Sequence, residues 1–300
     1  MRRAFAGAIS AVTLIAGAAF AQERTLPRVD RQYQHRLEAV QSGAIRPPFQ
    51  GSASIVPARS ALFAASIGVA GVPQAQGHFC GGVVIDPRWV LTAAHCVTEG
   101  TPAADVAPTP LAANKLQVLI DNSLTSTKKP ITPARIVVHP QYRITKDVPE
   151  NDIALLQFAE AVPGVALPIA PQSLEKIAVR PGDRIGIAGW GTSTFSADSP
   201  ISSRLLLGIV PIVERDQCNR AYGGGINEQM FCAGSGAVDS CQGDSGGAAW
   251  VYDEQGVPNL VGLVSWGAGC TQKRFPGVYV NVVSYRGWID ETIGRKQAAQ

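Results

Sequence analysis

The chain has 300 residues, 46% of them hydrophobic, which is enough to bury a sizeable core and excludes a disordered or fibrous class. Its formal charge is +3, but two of its 26 basic residues are Arg2 and Arg3, inside the leader argued below; that leaves 24 against 23 acidic ones. Near-neutrality gives no electrostatic reason to invoke nucleic acid or an anionic membrane as a partner.

Chain order begins with Met1-Arg2-Arg3, an apolar stretch rich in Ala and Gly, and Ala19-Phe20-Ala21 before Gln22. A basic start, a short apolar middle and a small-x-small exit describe an export signal over residues 1–21. A membrane anchor needs about 20 strongly apolar residues, and no other run meets that requirement. Residues 22–54 form a separate leader or pro-segment: charged, Gln-rich, with Tyr33, Leu37 and Val40 at helical spacing before Pro47-Pro48.

From Ile55 the pattern changes to short apolar or alternating runs punctuated by Gly, Pro, Asn and Asp. These runs fall at 82–85, 89–93, 116–120, 135–138, 153–158, 184–188, 204–212, 247–252, 259–265 and 277–281. Many short strands with regular turn signals predict an all-β sandwich or barrel pair. Residues 98–113 and 192–203 read as long surface loops. Helix is expected mainly at the end, where Val283, Trp288, Ile289 and Ile293 share a face, followed by a tail over 295–300.

Six cysteines follow the leader: Cys80, Cys96, Cys218, Cys232, Cys241 and Cys270. An even count in an exported chain implies disulfides, although spacing alone leaves the pairing open. No pair has Cys-x-x-Cys spacing, so structural cysteines are favoured over metal ligands and no metal is expected.

Acyl transfer by a hydroxyl needs a nucleophile, a base, a group that orients the base, and donors for the oxyanion. In Cys241-Gln242-Gly243-Asp244-Ser245-Gly246-Gly247 a serine lies between glycines, so the backbone can turn sharply and the amides of Gly243 and Ser245 can converge. Leu91-Thr92-Ala93-Ala94-His95-Cys96 sets a histidine among small residues beside a cysteine. For His35, His78 and His139, surface or structural roles suffice. Asn151-Asp152-Ile153-Ala154-Leu155-Leu156 is a carboxylate opening an apolar strand. Taken singly, the serine motif reads as a turn and Asp152 as a strand-start aspartate; together they supply every role.

At these residues the chain resembles the trypsin-like serine peptidases of the chymotrypsin family, with the motifs in the family's His, Asp, Ser order. The resemblance runs from about Ile55 to the C-terminal helix and implies a peptidase domain over 55–294, built as two packed six-stranded antiparallel β-barrels with a short C-terminal helix. It implies a catalytic triad of His95, Asp152 and Ser245, an oxyanion hole at Gly243 and Ser245, and no cofactor. Ser265-Trp266-Gly267 resembles the strand that lines the substrate pocket, and Gly277 the far wall. Asp239, beside Ser240, falls where trypsin-like members keep the carboxylate at the pocket floor. Such a pocket takes Arg or Lys, because an uncharged residue leaves the carboxylate unpaired. The implied partners are protein or peptide substrates cut after Arg or Lys, and protein inhibitors. The implied disulfides are Cys80 with Cys96, Cys218 with Cys232, and Cys241 with Cys270.

Two places depart from the family pattern. In the family an apolar N-terminus freed by cleavage pairs with the aspartate before the nucleophile, here Asp244. Ile55-Val56 resembles that start, but Pro57-Ala58 replaces the expected Gly-Gly, and Ser54 stands where a basic residue is common. The loop from Asn122 to Pro130 lacks the glutamates of a calcium-binding loop and carries Lys128-Lys129, so calcium is not expected. The competing reading is a non-catalytic binding protein on the same fold; the intact triad argues against it.

Overall fold

The computed structural model describes residues 61–100, 106–174, 179–192, 200–234, 238–270 and 272–295. The expected signal, pro-segment and Ile55 lie outside the described residues, as do parts of both long loops. Of the 295–300 tail only Arg295 is described; its guanidinium donates to Ile85 O and pairs with Asp86.

Two β units account for the fold. The first contains β1 (Ala64–Val69), β2 (His78–Asp86), β3 (Trp89–Thr92), β4 (Leu116–Leu119), β5 (Arg135–Val138) and β8 (Ala154–Gln157), in the sheet order β4-β1-β2-β3-β8-β5. This sheet curls: Ile131, just upstream of β5, exchanges two backbone hydrogen bonds with Val118 on β4. A small hairpin, β6 (Arg143–Thr145) and β7 (Val148–Glu150), stands apart from it. The second unit is a closed barrel of β9 (Arg184–Gly189), β10 (Leu206–Val213), β11 (Met230–Ala233), β12 (Ala248–Tyr252), β13 (Pro258–Trp266) and β14 (Gly277–Asn281). Closure removes free strand edges and encloses the apolar side chains. Val83, Leu91 and Leu155 join Ile185, Val261 and Leu263 in one buried cluster, so the two units share a core. The all-β, two-barrel expectation holds.

Helices are few. A single turn, α1 (Gln74–Gly77), links β1 to β2. Helix α2 (Arg215–Tyr222) was not expected from the sequence: it is polar, capped by the Glu214 side chain accepting from Gln217 N, and stopped by Gly223 in the left-handed conformation. The expected terminal helix is α3 (Arg286–Ile293), with Val283 in a 3₁₀ turn just before it. Disulfides join Cys80 to Cys96, Cys218 to Cys232 and Cys241 to Cys270.

Candidate active site

Strand register brings the motif residues to one end of each unit. Thr92 on β3 pairs with Ala154 on β8 in antiparallel register. The residues beyond Thr92 and before Ala154 therefore leave the sheet side by side, and these are His95, in a 3₁₀ turn over Ala94–Cys96, and Asp152. Asn151 takes a left-handed φ of 53°, which asparagine tolerates better than most residues. Its side chain donates to Gln141 O and accepts from the Tyr285 hydroxyl, so the turn that aims Asp152 inward is pinned on both sides.

Asp152 is buried and accepts three hydrogen bonds: from His95 N at 2.9 Å, His95 Nδ1 at 2.7 Å and Ser265 Oγ at 2.5 Å. Burial pushes its carboxyl up, but the opposing charge and hydrogen bonds of His95, with the bond from Ser265, outweigh burial and hold it below the ordinary carboxylate value. His95 is itself buried, with Nδ1 committed to Asp152 and its Nε2 edge 3.7 Å from Cys96 Sγ. The same sulfur lies 3.7 Å from Ser245 O.

The second unit delivers Ser245 in a comparable way. Ala248 opens β12 opposite Leu263 on β13, so the loop ahead of β12 lies beside the end of β13, where Ser265 is. That loop is stitched to the first unit: Gly81 N donates to Ser245 O at 2.7 Å, and the Thr92 hydroxyl donates to Gly81 O at 2.8 Å. The approach is close enough that a Cβ on Gly246 would lie 2.3 Å from Thr92 Oγ1 and 2.5 Å from Gly81 O, and its φ is +78°. Glycine is required there for both reasons. Gly243 also has a positive φ, +95°.

The Asp244 carboxylate occupies a slot left by Gly189 and Gly191, where added Cβ atoms would fall 1.8 and 2.4 Å from its oxygens. It accepts from Gly191 N at 2.7 Å and Cys241 N at 2.8 Å. Although the residue keeps some exposed surface, the protein crowding its carboxylate strips away water and pushes it up to about 6, despite both backbone donors.

Asp239 lies beside Gly277, one of the two glycines expected to form pocket walls, and Gly277 in turn faces Gly267. A Cβ on Gly277 would meet Asp239 Oδ1 and Ser240 Oγ, each at 3.1 Å, and one on Gly267 would face Gly277 Cα at 3.7 Å. Any side chain at 277 would therefore fill the space next to the carboxylate. The charge of Asp239 is felt nearby: burial first, then Asp239, push the hydroxyl of Tyr279 upward, and Tyr222 shifts the same way. Tyr222 was missed by sequence reasoning. Its hydroxyl donates to Pro276 O and accepts from Ala268 N, clipping the two walls together, while its ring packs edge-on against Trp266 at 4.8 Å. Only its place in an unexpected helix could have signalled this.

Of the expected site residues, His95, Asp152, Ser265 and the Ser245 backbone meet at the junction of the two units, Ser265 turning its side chain to Asp152, while Asp239, Ser240 and Gly277 lie together in the second unit. His78, Ser66 and the Gly189–Gly191 slot carried no readable sequence signal. Among the described residues, Cys80, His95 and Cys96 form a group of metal-capable ligands, but its two sulfurs are bonded to each other. Lys128 Nζ lies 2.9 Å from Asp121 in the loop where calcium was not expected.

The Trypsin family model matches residues 56–289. The chain belongs to the trypsin family of serine proteases. It is 38% identical over 227 residues to Trypsin 5G1 of Aedes aegypti, covering 73% of this chain and 77% of that protein. It is 37% identical over 219 residues to the anionic trypsin of Canis lupus familiaris, covering 72% and 80%. With Serine protease 1 of Homo sapiens the identity is 36% over 225 residues, covering 72% and 80%. Membership of the trypsin family makes this chain a serine endopeptidase, a hydrolase of peptide bonds.

Proposed function

We propose that this trypsin-family member is an exported endopeptidase that cuts after Arg or Lys through His95, Asp152 and Ser245. Ser245 Oγ attacks the scissile carbonyl carbon as His95 Nε2 removes its proton. The resulting oxyanion is held by the amides of Gly243 and Ser245. His95 then gives the proton to the leaving amine, and a water, activated by the same imidazole, hydrolyses the acyl-enzyme. Asp152 orients His95 and stabilises its imidazolium form. The observation that carries this reading is the buried Ser265–Asp152–His95 hydrogen-bond chain at the junction where Ser245 is stitched to β2.

The Arg or Lys preference rests on Asp239 beside Gly277: no side chain at 277 blocks a long cation from the carboxylate, whereas an apolar residue in the same space would strip away its water and bring no charge. Export rests on residues 1–21, and activation on an ammonium, freed near Ile55, entering the slot beside Asp244. No helix among the described residues is long and apolar enough to cross a membrane. Protein or peptide substrates and protein inhibitors are the partners this reading implies.

The test is hydrolysis of paired peptide amides ending in Arg or Phe by exported protein of determined N-terminus, with Ser245→Ala as control. The reading expects cleavage of the Arg amide alone and a loss on the order of 10⁵-fold or more in the control. No turnover from a chain beginning at Ile55 would sink it in favour of a binding protein.

A further inference from the structure

His78 and Ser66 are fully buried and Gln74 nearly so, and none takes part in the chemistry described above. Together with Gln117 they form one polar chain that ends on the loop of the nucleophile. His78 Nε2 lies 3.0 Å from Gly243 O, and His78 Nδ1 lies 2.7 Å from Ser66 Oγ. Gln74 Nε2 donates to Ser66 Oγ at 2.7 Å and to Ser66 O at 2.9 Å. Gln117 Nε2 donates to Gln74 Oε1 at 3.0 Å and to Val72 O at 2.6 Å, while its Oε1 accepts from Gly71 N at 3.1 Å.

Backbone acceptors at both ends fix the terminal bonds, and a neutral His78 ring fixes the bond between His78 and Ser66. Gly243 O can only accept, so His78 carries its proton on Nε2, and Nδ1 of the neutral ring accepts from Ser66. Ser66 O can only accept, which settles the orientation of the Gln74 amide; Val72 O settles that of Gln117 in the same way. Donation therefore runs one way, from Gln117 through Gln74, Ser66 and His78 to Gly243 O. Chains of this kind polarise one another, so a donor at the far end strengthens the last bond.

The last bond matters because Gly243 has a φ of +95° and no side chain to hold its peptide planes. The bond from His78 holds the Gly243–Asp244 peptide plane, one of the two planes that meet at the Gly243 Cα, and so restricts the rotations that would swing the Gly243 N–H out of line. Trp190 packs edge-on at 5.6 Å against the His78 ring and limits its rotation. The structure also makes room for the relay: a Cβ on Gly68, at the bulge between β1 and β2, would lie 2.9 Å from Gln74 Nε2.

We infer that Gln74 is a positioning residue for the oxyanion hole, acting on Gly243 through Ser66 and His78. The inference rests on the catalytic reading proposed above. It explains why a buried amide is placed on the single-turn helix α1, well away from the substrate pocket.

Two variants test it. Gln74→Met keeps length and removes the donor, and Gly68→Ala displaces the carboxamide while leaving every donor in the chain. Each is expected to lower kcat on an Arg peptide amide about tenfold with KM unchanged, less than the loss of an oxyanion donor itself. Affinity for a peptide arginine aldehyde, whose hemiacetal oxygen occupies the oxyanion hole, should fall by a similar factor. Affinity for benzamidine, which fills only the pocket beside Asp239, should not move. Unchanged kcat in both variants overturns the inference, as does an equal loss of aldehyde and benzamidine binding, which would mark a general collapse of the site. If the wild-type chain itself turns over no substrate, the catalytic reading fails, and histidine ¹⁵N shifts still decide the relay: His78 must be the Nε2–H tautomer in the wild type, and its Nδ1 shift, which reports acceptance from Ser66, must move in Gln74→Met. Identical His78 shifts in the two proteins overturn it.

Discussion

Two aspartates, one at the mouth of each β unit, meet the same physical problem and resolve it differently. Asp152 sits in the first unit, fully enclosed, and its carboxylate touches His95 and Ser265 side chains. Asp244 sits in the second, crowded between Gly189 and Gly191, and among the described residues receives only backbone N–H groups. The first is held below the ordinary carboxylate value because a partner able to carry positive charge faces it; the second is pushed up to about 6 because no cation among the described residues does. Dipoles orient a carboxylate, but a countercharge is needed to keep it ionised out of water. Asp239 is a third case, to which on the proposed function the substrate brings a cation.

The largest expected effect comes from removing the charge that Asp152 shares with His95. Asp152→Asn keeps the shape but presents an amide donor, which favours the wrong imidazole tautomer; kcat should fall on the order of 10⁴-fold, the scale known for such triads. A loss below tenfold at neutral pH would break the comparison, since it would mean that His95 is oriented by something else. Next in size, Asp239→Ser should lower kcat/KM for an Arg amide by about 10³-fold or more, with the Phe amide little changed. Equal losses on both substrates would show that Asp239 supports the loop rather than reading the substrate.

The contrast between the aspartates was only partly legible in the sequence. Asp152 could be read because three short motifs in fixed order place His95, Asp152 and Ser245, and because β3 and β8 are apolar runs whose pairing leaves no other exit for their flanking residues. Asp244 was read for its charge, but the slot that receives it comes from Gly189 and Gly191, distant in sequence and ordinary in appearance. Strands β1 and β11 were missed because Ala64–Val69 lacks alternation and Met230–Ala233 holds no β-branched residue; both are defined by their barrel neighbours rather than by pattern. Helix α2 was missed because it is polar and one-sided, its single buried face built on Cys218 and Tyr222. The same helix carries Tyr222 to the pocket walls, so that site residue went unseen with it.

A smaller effect separates the two aspartates by pH. The folded chain keeps a proton on Asp244 to higher pH than the unfolded chain, whose ordinary value is 3.8. Its contribution to stability is therefore whole below about pH 4 and lost as the pH rises through about 6, by at most ~3 kcal/mol before allowance for the solvent Asp244 retains. Asp152, shifted the other way, contributes stability above pH 3.8 that is lost as the pH falls below that value. In urea melts from pH 4 to pH 7.5, the chain before N-terminal cleavage should lose stability relative to Asp244→Asn, and the cleaved chain should not. Identical pH profiles for the cleaved and uncleaved chains would show that no ammonium reaches Asp244.

The smallest effect concerns what holds Asp152 in place, for which Asp244 has no counterpart. Asn151 has a φ of 53° and is tied by its side chain to Gln141 O and to the Tyr285 hydroxyl. Asn151→Ala should cost about 2 kcal/mol, combining left-handed strain at a residue with a Cβ and the loss of two partly exposed hydrogen bonds. Asn151→Gly removes the strain and keeps the loss, so it should cost about 1 kcal/mol. If the side-chain ties are what aim Asp152, both variants should lower kcat several-fold in spite of their different stabilities. If the left-handed turn alone aims it, Asn151→Gly should keep full activity, and the first unit, like the second, would be positioning its aspartate by backbone alone.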